Sequence, residues 1–135
     1  VTAAKITNNA VTGPKIKNAE ISLAKLNATA KEGIAKAWVN FDGTGAVSIR
    51  DDYNVSSITD NGTADYTVNF SITMANTSYI FLAMCTKALT GDGPEHPNLS
   101  GAGKTTTSVR FSTINNSNAG SVDSEFNDCL ILGDI

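Results

Sequence analysis

The chain has 135 residues, 17% of them charged, and a net charge of −3, so it has room for one domain and a short appendage and is not compositionally disordered. The charge is unevenly placed: residues 1–36 hold six lysines against two glutamates, while residues 37–135 hold four cations against eleven acids. A basic arm on an acidic body invites a nucleic-acid reading. The lysines, however, recur at a repeat period without interleaved aromatics or arginines, and read instead as solvated heads whose stems pack along an apolar row. No nucleic-acid partner is expected. The longest apolar run, Tyr79 to Cys85, is far too short to cross a bilayer, so no membrane insertion is expected either.

The chain begins with a ten-residue repeat written three times: Val1-Thr-Ala-Ala-Lys5-Ile6, Val11-Thr-Gly-Pro-Lys15-Ile16 and Ile21-Ser-Leu-Ala-Lys25-Leu26. Aliphatics fall every five residues, at Val1, Ile6, Val11, Ile16, Ile21 and Leu26. Five steps along a helix turn about 140° beyond a full circle, so this row drifts off any one helical face. In a strand, five is odd, and successive aliphatics point to opposite sides. The period predicts a β-repeat stalk that bends once per copy and stacks its copies. Three decads bury almost nothing alone, so these six aliphatics are expected to find their core against neighbouring chains. Small residues at Ala4, Ala19 and Ala24, each two before an aliphatic, allow close approach there. The pattern also resembles a pentapeptide-repeat solenoid, but six pentads make only about one and a half coils of one. A trimeric stalk is the favoured reading. Because the sequence opens on Val in mid-repeat, it is expected to be the C-terminal piece of a longer protein.

After Leu26, Thr29-Ala-Lys-Glu32 reads as a capping box that opens a helical turn or two through Ile34, Ala35 and Ala37, giving a connector that closes the first region at residue 36. From there the hydrophobic period becomes two. Ala37, Val39 and Phe41 alternate with Trp38 and Asn40, and Asp42-Gly-Thr-Gly45 signals a turn. Val47, Ile49, Tyr53, Val55 and Ile58 follow, up to a second turn at Asp60-Asn-Gly62. The cleanest strand is Asp65 to Ile72, with Tyr66, Val68, Phe70 and Ile72 facing one way. Tyr79 to Thr86 is apolar on both sides and predicts a central strand covered on both faces. A loop rich in Gly, Pro and Asp is expected from Ala88 to Gly103, strands at 105–114 and 126–132, and a pause at 115–120. Regular short strands between turn signals predict a mainly β protein: an antiparallel β-sandwich, jelly-roll-like head over 37–135.

Two passages carry a family resemblance. Val1-Thr-Ala-Ala-Lys-Ile6 and its copies resemble the decads of bacteriophage fibre stalks. Lys36-Ala-Trp-Val-Asn-Phe-Asp-Gly-Thr-Gly45, continuing through Ile49 to Gly62 and Tyr66 to Phe70, resembles the opening of C-terminal head domains in phage tail-fibre proteins. Together they span about half the chain, and residues 88–135 lie outside the resemblance. The resemblance implies an intertwined homotrimer in the virion, joined upstream to other virion proteins and attaching the particle to a bacterial surface glycan or outer-membrane protein. A capsid decoration, head-fibre or cement protein built on the same trimeric head is the alternative.

Catalytic signals are weak. Asp51-Asp52, Asp92 with Glu95, and Asp123 with Glu125 are the only carboxylate clusters available for glycoside hydrolysis. The first pair points apart in a strand, and the others lie in turn-like sequence. There is no GxSxG or HExxH, and Gly101-Ala-Gly-Lys104 lacks the leading glycine and the helix of a P-loop. The loop Thr90-Gly-Asp-Gly-Pro-Glu95-His96-Pro-Asn98 lacks the alternate acidic ligands of an EF-hand. Cys85 and Cys129, each in an apolar run, read as buried free thiols, without a CxxC or a nearby histidine. No enzyme activity, metal or cofactor is expected. Adhesion would use polar residues on turn-rich segments, with Asp92, Glu95, His96, Asn98, Asn116 and Asn118 as contact candidates. Trp38 and Tyr53 could stack on a sugar, but Trp38, at the stalk junction, is expected to pack between subunits.

Overall fold

The computed structural model describes residues 33–86, 95–115 and 120–135. The decads, with Val1, Ile6, Val11, Ile16, Ile21 and Leu26, and the Thr29–Glu32 capping box lie outside the described residues. Among the described residues there are eight strands: β1 (Ala35–Asp42), β2 (Ser48–Tyr53), β3 (Val55–Gly62), β4 (Asp65–Phe70), β5 (Ile80–Thr86), β6 (Glu95–Lys104), β7 (Ser108–Asn115) and β8 (Phe126–Leu132). They form two four-stranded antiparallel sheets, in the orders β2-β1-β8-β5 and β3-β4-β7-β6.

One core joins the sheets. Ala37, Val39, Phe41, Cys129 and Ile131 enter it from the first sheet, and Val55, Tyr66, Val68, Phe70, Val109 and Phe111 from the second. The alternation read in the sequence produces these faces, since every second residue of a strand turns inward. Phe41 meets Tyr66 edge-on with ring centroids 5.2 Å apart, and Phe70 meets Tyr79 in the same manner at 5.8 Å. Such contacts add specificity to an area term worth about 1.5–3 kcal/mol for each large side chain.

The sheets are built from the hairpins β1–β2, β3–β4 and β6–β7, with β5 and β8 side by side in the first sheet. The likeness to a jelly roll goes no further than two layers of four strands.

Four expectations are corrected. Ala35 and Lys36 open β1 instead of closing a helical turn, because Ala35 pairs with Leu132 of β8. β4 ends at Phe70, and Ile72 is 56% exposed, because Asn54 captures the chain there and turns it. β5 is an edge strand whose outward residues Ile80, Leu82 and Met84 are exposed, instead of a central strand covered on both faces. Residues 95–103, expected as loop, belong to β6 in spite of Pro97; an edge position tolerates the missing N–H.

Candidate functional site

The register divides the body into two ends. At the entry end lie Ala35, the β2–β3 corner at Asn54, the β4–β5 connection, the β6–β7 turn and Gly133 to Ile135. At the far end lie the β1–β2 and β3–β4 turns, the end of β5, the start of β6, the end of β7 and the start of β8. Thr86 pairs with Phe126 across the first sheet, and Glu95 with Asn115 across the second. These four strand ends therefore lie at the end opposite Ala35.

The far end stands on a fixed base. Asp123 Oδ1 accepts hydrogen bonds from the Ala64 amide at 2.6 Å and the Tyr66 hydroxyl at 2.8 Å. The Tyr66 hydroxyl also lies 3.0 Å from the Gly43 carbonyl, and the Gly43 amide donates to Ser124 O at 2.9 Å. Ala64 takes a left-handed φ of 63°, which this carboxylate helps to hold. Thr113 Oγ1 donates to Val122 O, tying the same segment to β7. Burial first, and the hydrogen bond from its hydroxyl to Asp123 second, push the Tyr66 phenol well above its ordinary pKa, so it remains a donor. Beside it, Asp42 accepts from the Thr44 hydroxyl at 2.7 Å and amide at 2.9 Å and pairs with Arg50 at 2.9 Å. These partners, Thr44 foremost, lower the Asp42 pKa. Arg50 also donates to Glu125 O at 2.7 Å and lies 4.6 Å over the Phe126 ring.

Asp92, Asn116 and Asn118 lie outside the described residues. Glu95 is the first residue of β6, opposite Asn115. His96 and Asn98, two apart on that strand and so on one face, are both exposed and lie opposite Ile114 and Ser112 of β7. The structure thus brings His96 and Asn98 together on the outer face of the second sheet and seats Glu95 at its far end. Asp123 and Asp51-Asp52 do not form a carboxylate cleft: Asp123 serves the Ala64 and Tyr66 clamp, and Asp51 and Asp52 lie opposite Asn40 and Val39. Among the described residues no group of three or more His, Cys, Asp or Glu is placed to hold a metal ion.

Sequence reasoning missed the polar character of the second sheet's outer face. Asn61 Nδ2 donates to Thr67 Oγ1 at 2.9 Å, and Asn69 Nδ2 reaches Ser57 Oγ at 3.1 Å and Thr59 Oγ1 at 2.9 Å. Arg110 holds Asp65 by two bonds, at 2.8 and 2.5 Å. The signal was present in the alternate Thr67 and Asn69 of β4, but their cross-strand partners are set by register. The first sheet's outer face is mixed: Trp38, Tyr53, Leu82, Met84 and Leu130 share it with Asn40, Asp51 and Asp128, and a groove of about 700 Å³ opens there. Cys85 and Cys129 are both buried thiols outside any disulfide, as expected.

Comparison of the chain with protein-family models, curated proteins and solved structures finds no match.

Proposed function

We propose that this chain is the distal, receptor-binding part of a phage tail fibre: a homotrimeric β-sandwich head that attaches the virion to a bacterial surface without catalysis. The observation that supports it best is polarity along the body. The described chain enters β1 at Ala35 at one end, and the strand ends from which the segments carrying Asp92, Asn116 and Asn118 depart, with Glu95 at the start of β6, lie at the other. A fibre needs that order, with attachment to the particle behind and contact in front.

The contact chemistry is hydrogen bonding. Hydroxyl, amide, imidazole and guanidinium groups cover the second sheet's outer face and its far end, which suits a surface glycan or the loops of an outer-membrane protein. Each such contact is weak in water, worth about 0.5–1.5 kcal/mol. Repetition over three copies raises avidity without any new contact. The fixed base of Tyr66, Asp123 and Gly43 limits the ordering cost at binding.

The test is to incubate the 135-residue protein with a panel of bacterial strains, count bound protein, and then challenge those cells with the phage that carries it. Binding that blocks adsorption supports the attachment reading. A trimer that binds none of the strains the phage infects transfers the assignment to capsid decoration.

A further inference from the structure

The outer face of the first sheet carries two neighbouring cross-strand rows of opposite character. The register sets Asp51 of β2, Asn40 of β1 and Asp128 of β8 side by side in one, and Tyr53, Trp38 and Leu130 of the same strands in the other. The rows lie two residues apart on each strand, about 6.8 Å, a distance that one pyranose unit spans. All of these residues except Tyr53 line the groove of about 700 Å³. That volume suits a small ligand, and strands hold its lining more firmly than loops would.

The polar row is set in advance. Asn40 Nδ2 donates to Asp128 Oδ1 at 2.6 Å, which fixes both planar groups. The second N–H of that amide, its carbonyl oxygen and Asp128 Oδ2 remain for a ligand. A donor and acceptors therefore stand together, the pattern that suits a hydroxyl, which donates and accepts at once. Trp38, half-buried in the adjoining row, adds a large apolar surface with few rotatable bonds.

We infer that this groove binds an uncharged saccharide, with Trp38 and Leu130 against the C–H face of a sugar ring and Asp128, Asn40 and Asp51 on its hydroxyls. Other occupants match the lining less well. An apolar partner would bury three polar side chains without partners. An anionic sugar would meet two carboxylates and, among the described residues that line the groove, no cation. Asp51 and Asp128 stand two strands apart, about 9.6 Å at the backbone, too far to share a metal ion. An organic cation needs acceptors alone and leaves the Asn40 N–H unanswered. The groove is separate from the far-end contacts of the attachment reading. One weak site does not hold a protein on a cell, so it adds to those contacts without replacing them.

Trp38 is the only tryptophan in the chain, so its fluorescence reports on the groove. The 135-residue protein is titrated with glucose, galactose, mannose and N-acetylglucosamine, and with glucuronate and choline as charged probes. Asp128→Ala is compared with the parent, and Ser57→Ala, on the other sheet, is the control. Trp38→Phe is followed by saturation-transfer NMR. Asp128 is exposed, so its variant retains the fold, checked by far-UV circular dichroism. The expected result is a saturable change at millimolar levels of at least one neutral sugar, with Trp38 less open to acrylamide. Asp128→Ala loses a charge-assisted hydrogen bond and weakens that sugar about tenfold. Trp38→Phe weakens it as well, and the control does not. Neutral sugars that leave Trp38 unchanged overturn the inference, as does a sugar affinity that Asp128→Ala leaves alone. Tighter binding of glucuronate or choline than of every neutral sugar overturns it too. A sugar-free Trp38 closed to acrylamide, in a protein whose mass is a multiple of the chain's, overturns it by giving the face to a second copy. Cell binding without any sugar response removes the groove and leaves the attachment reading standing. A sugar response in a protein that binds no cell does the reverse.

Discussion

Asn54 and Ile72 hold each other by two hydrogen bonds: the Ile72 amide donates to Asn54 Oδ1 at 2.6 Å, and Asn54 Nδ2 donates to the Ile72 carbonyl at 3.2 Å. The same Nδ2 reaches Lys36 O at 2.9 Å, and the Asn54 carbonyl accepts from the Ser71 amide at 3.1 Å. One side chain thus fastens the start of β1 and the end of β4 at the corner where the chain passes from one sheet to the other.

Asn54 sits at φ 56°, a left-handed conformation that asparagine tolerates better than alanine. Asn54→Ala loses the bonds and adds backbone strain, for about 2–3 kcal/mol. Asn54→Gly loses the bonds but relieves the strain, for about 1–2 kcal/mol. Urea midpoints at unchanged slope should rank parent above glycine above alanine. Equal midpoints for the two variants would mean that the backbone carries no strain there.

Gly43 is required by a close approach. A methyl group there would meet the Tyr66 hydroxyl, lie 2.7 Å from Tyr66 Cζ and 2.9 Å from the Ser124 carbonyl. Tyr66 is fully buried among Phe41 and Phe111, so the ring cannot retreat. Gly43→Ala should cost about 1–3 kcal/mol in urea unfolding and disturb the far-end base. A neutral result would show that the Ser124 segment yields freely.

Stability should fall at both pH extremes for different reasons. Burial pushes the Tyr79 phenol up to about 12, and Tyr66 rises for the same reason. Above pH 10, the ordinary tyrosine value, the unfolded chain releases protons that the folded chain keeps, so stability declines as pH rises toward 12. Asp42 is held low mainly by the Thr44 hydrogen bond and Asp65 mainly by the Arg110 hydrogen bond, so their contribution is present above the ordinary value of 3.8 and is lost as pH falls below it. Urea midpoints across pH should fall on both limbs, and Asp65→Asn should flatten the acid one. A midpoint that holds steady from pH 10 to 12 would contradict the burial of both phenols.

Both cysteines are buried, and burial raises the Cys129 thiol well above its ordinary value. Native protein should therefore react with neither thiol in an Ellman assay, and both should react in denaturant. Rapid labelling of one thiol in the native protein would place the β5–β8 pair in an open state.

How far the sequence reaches depends on where pairing enters. Strand β8 is legible to the residue at Phe126–Leu132, and the buried row Tyr66, Val68 and Phe70 follows from alternation alone. The edge position of β5 is not legible, because a residue sequence does not state which strand stands beside it. β6 is hidden by Pro97 and Gly101-Ala-Gly103, which read as loop until an edge position excuses them. Of the contact candidates, His96 and Asn98 are found exposed together, a consequence of their spacing of two once the strand exists. The clamp on Asp123 was invisible, since it joins residues 57 and 59 positions apart, to Tyr66 and Ala64.

The central claim, that the far end is the binding end, is tested most directly by replacing residues 87–94 and 116–119 with short Gly-Ser linkers and counting protein bound to susceptible cells. The first segment is flanked by Thr86 and Glu95 and the second begins after Asn115, all strand residues held by their ladders, so the sheets should survive the exchange. The account predicts an unchanged mass and urea midpoint with binding lost. Binding equal to the parent's, with both segments replaced, would contradict it.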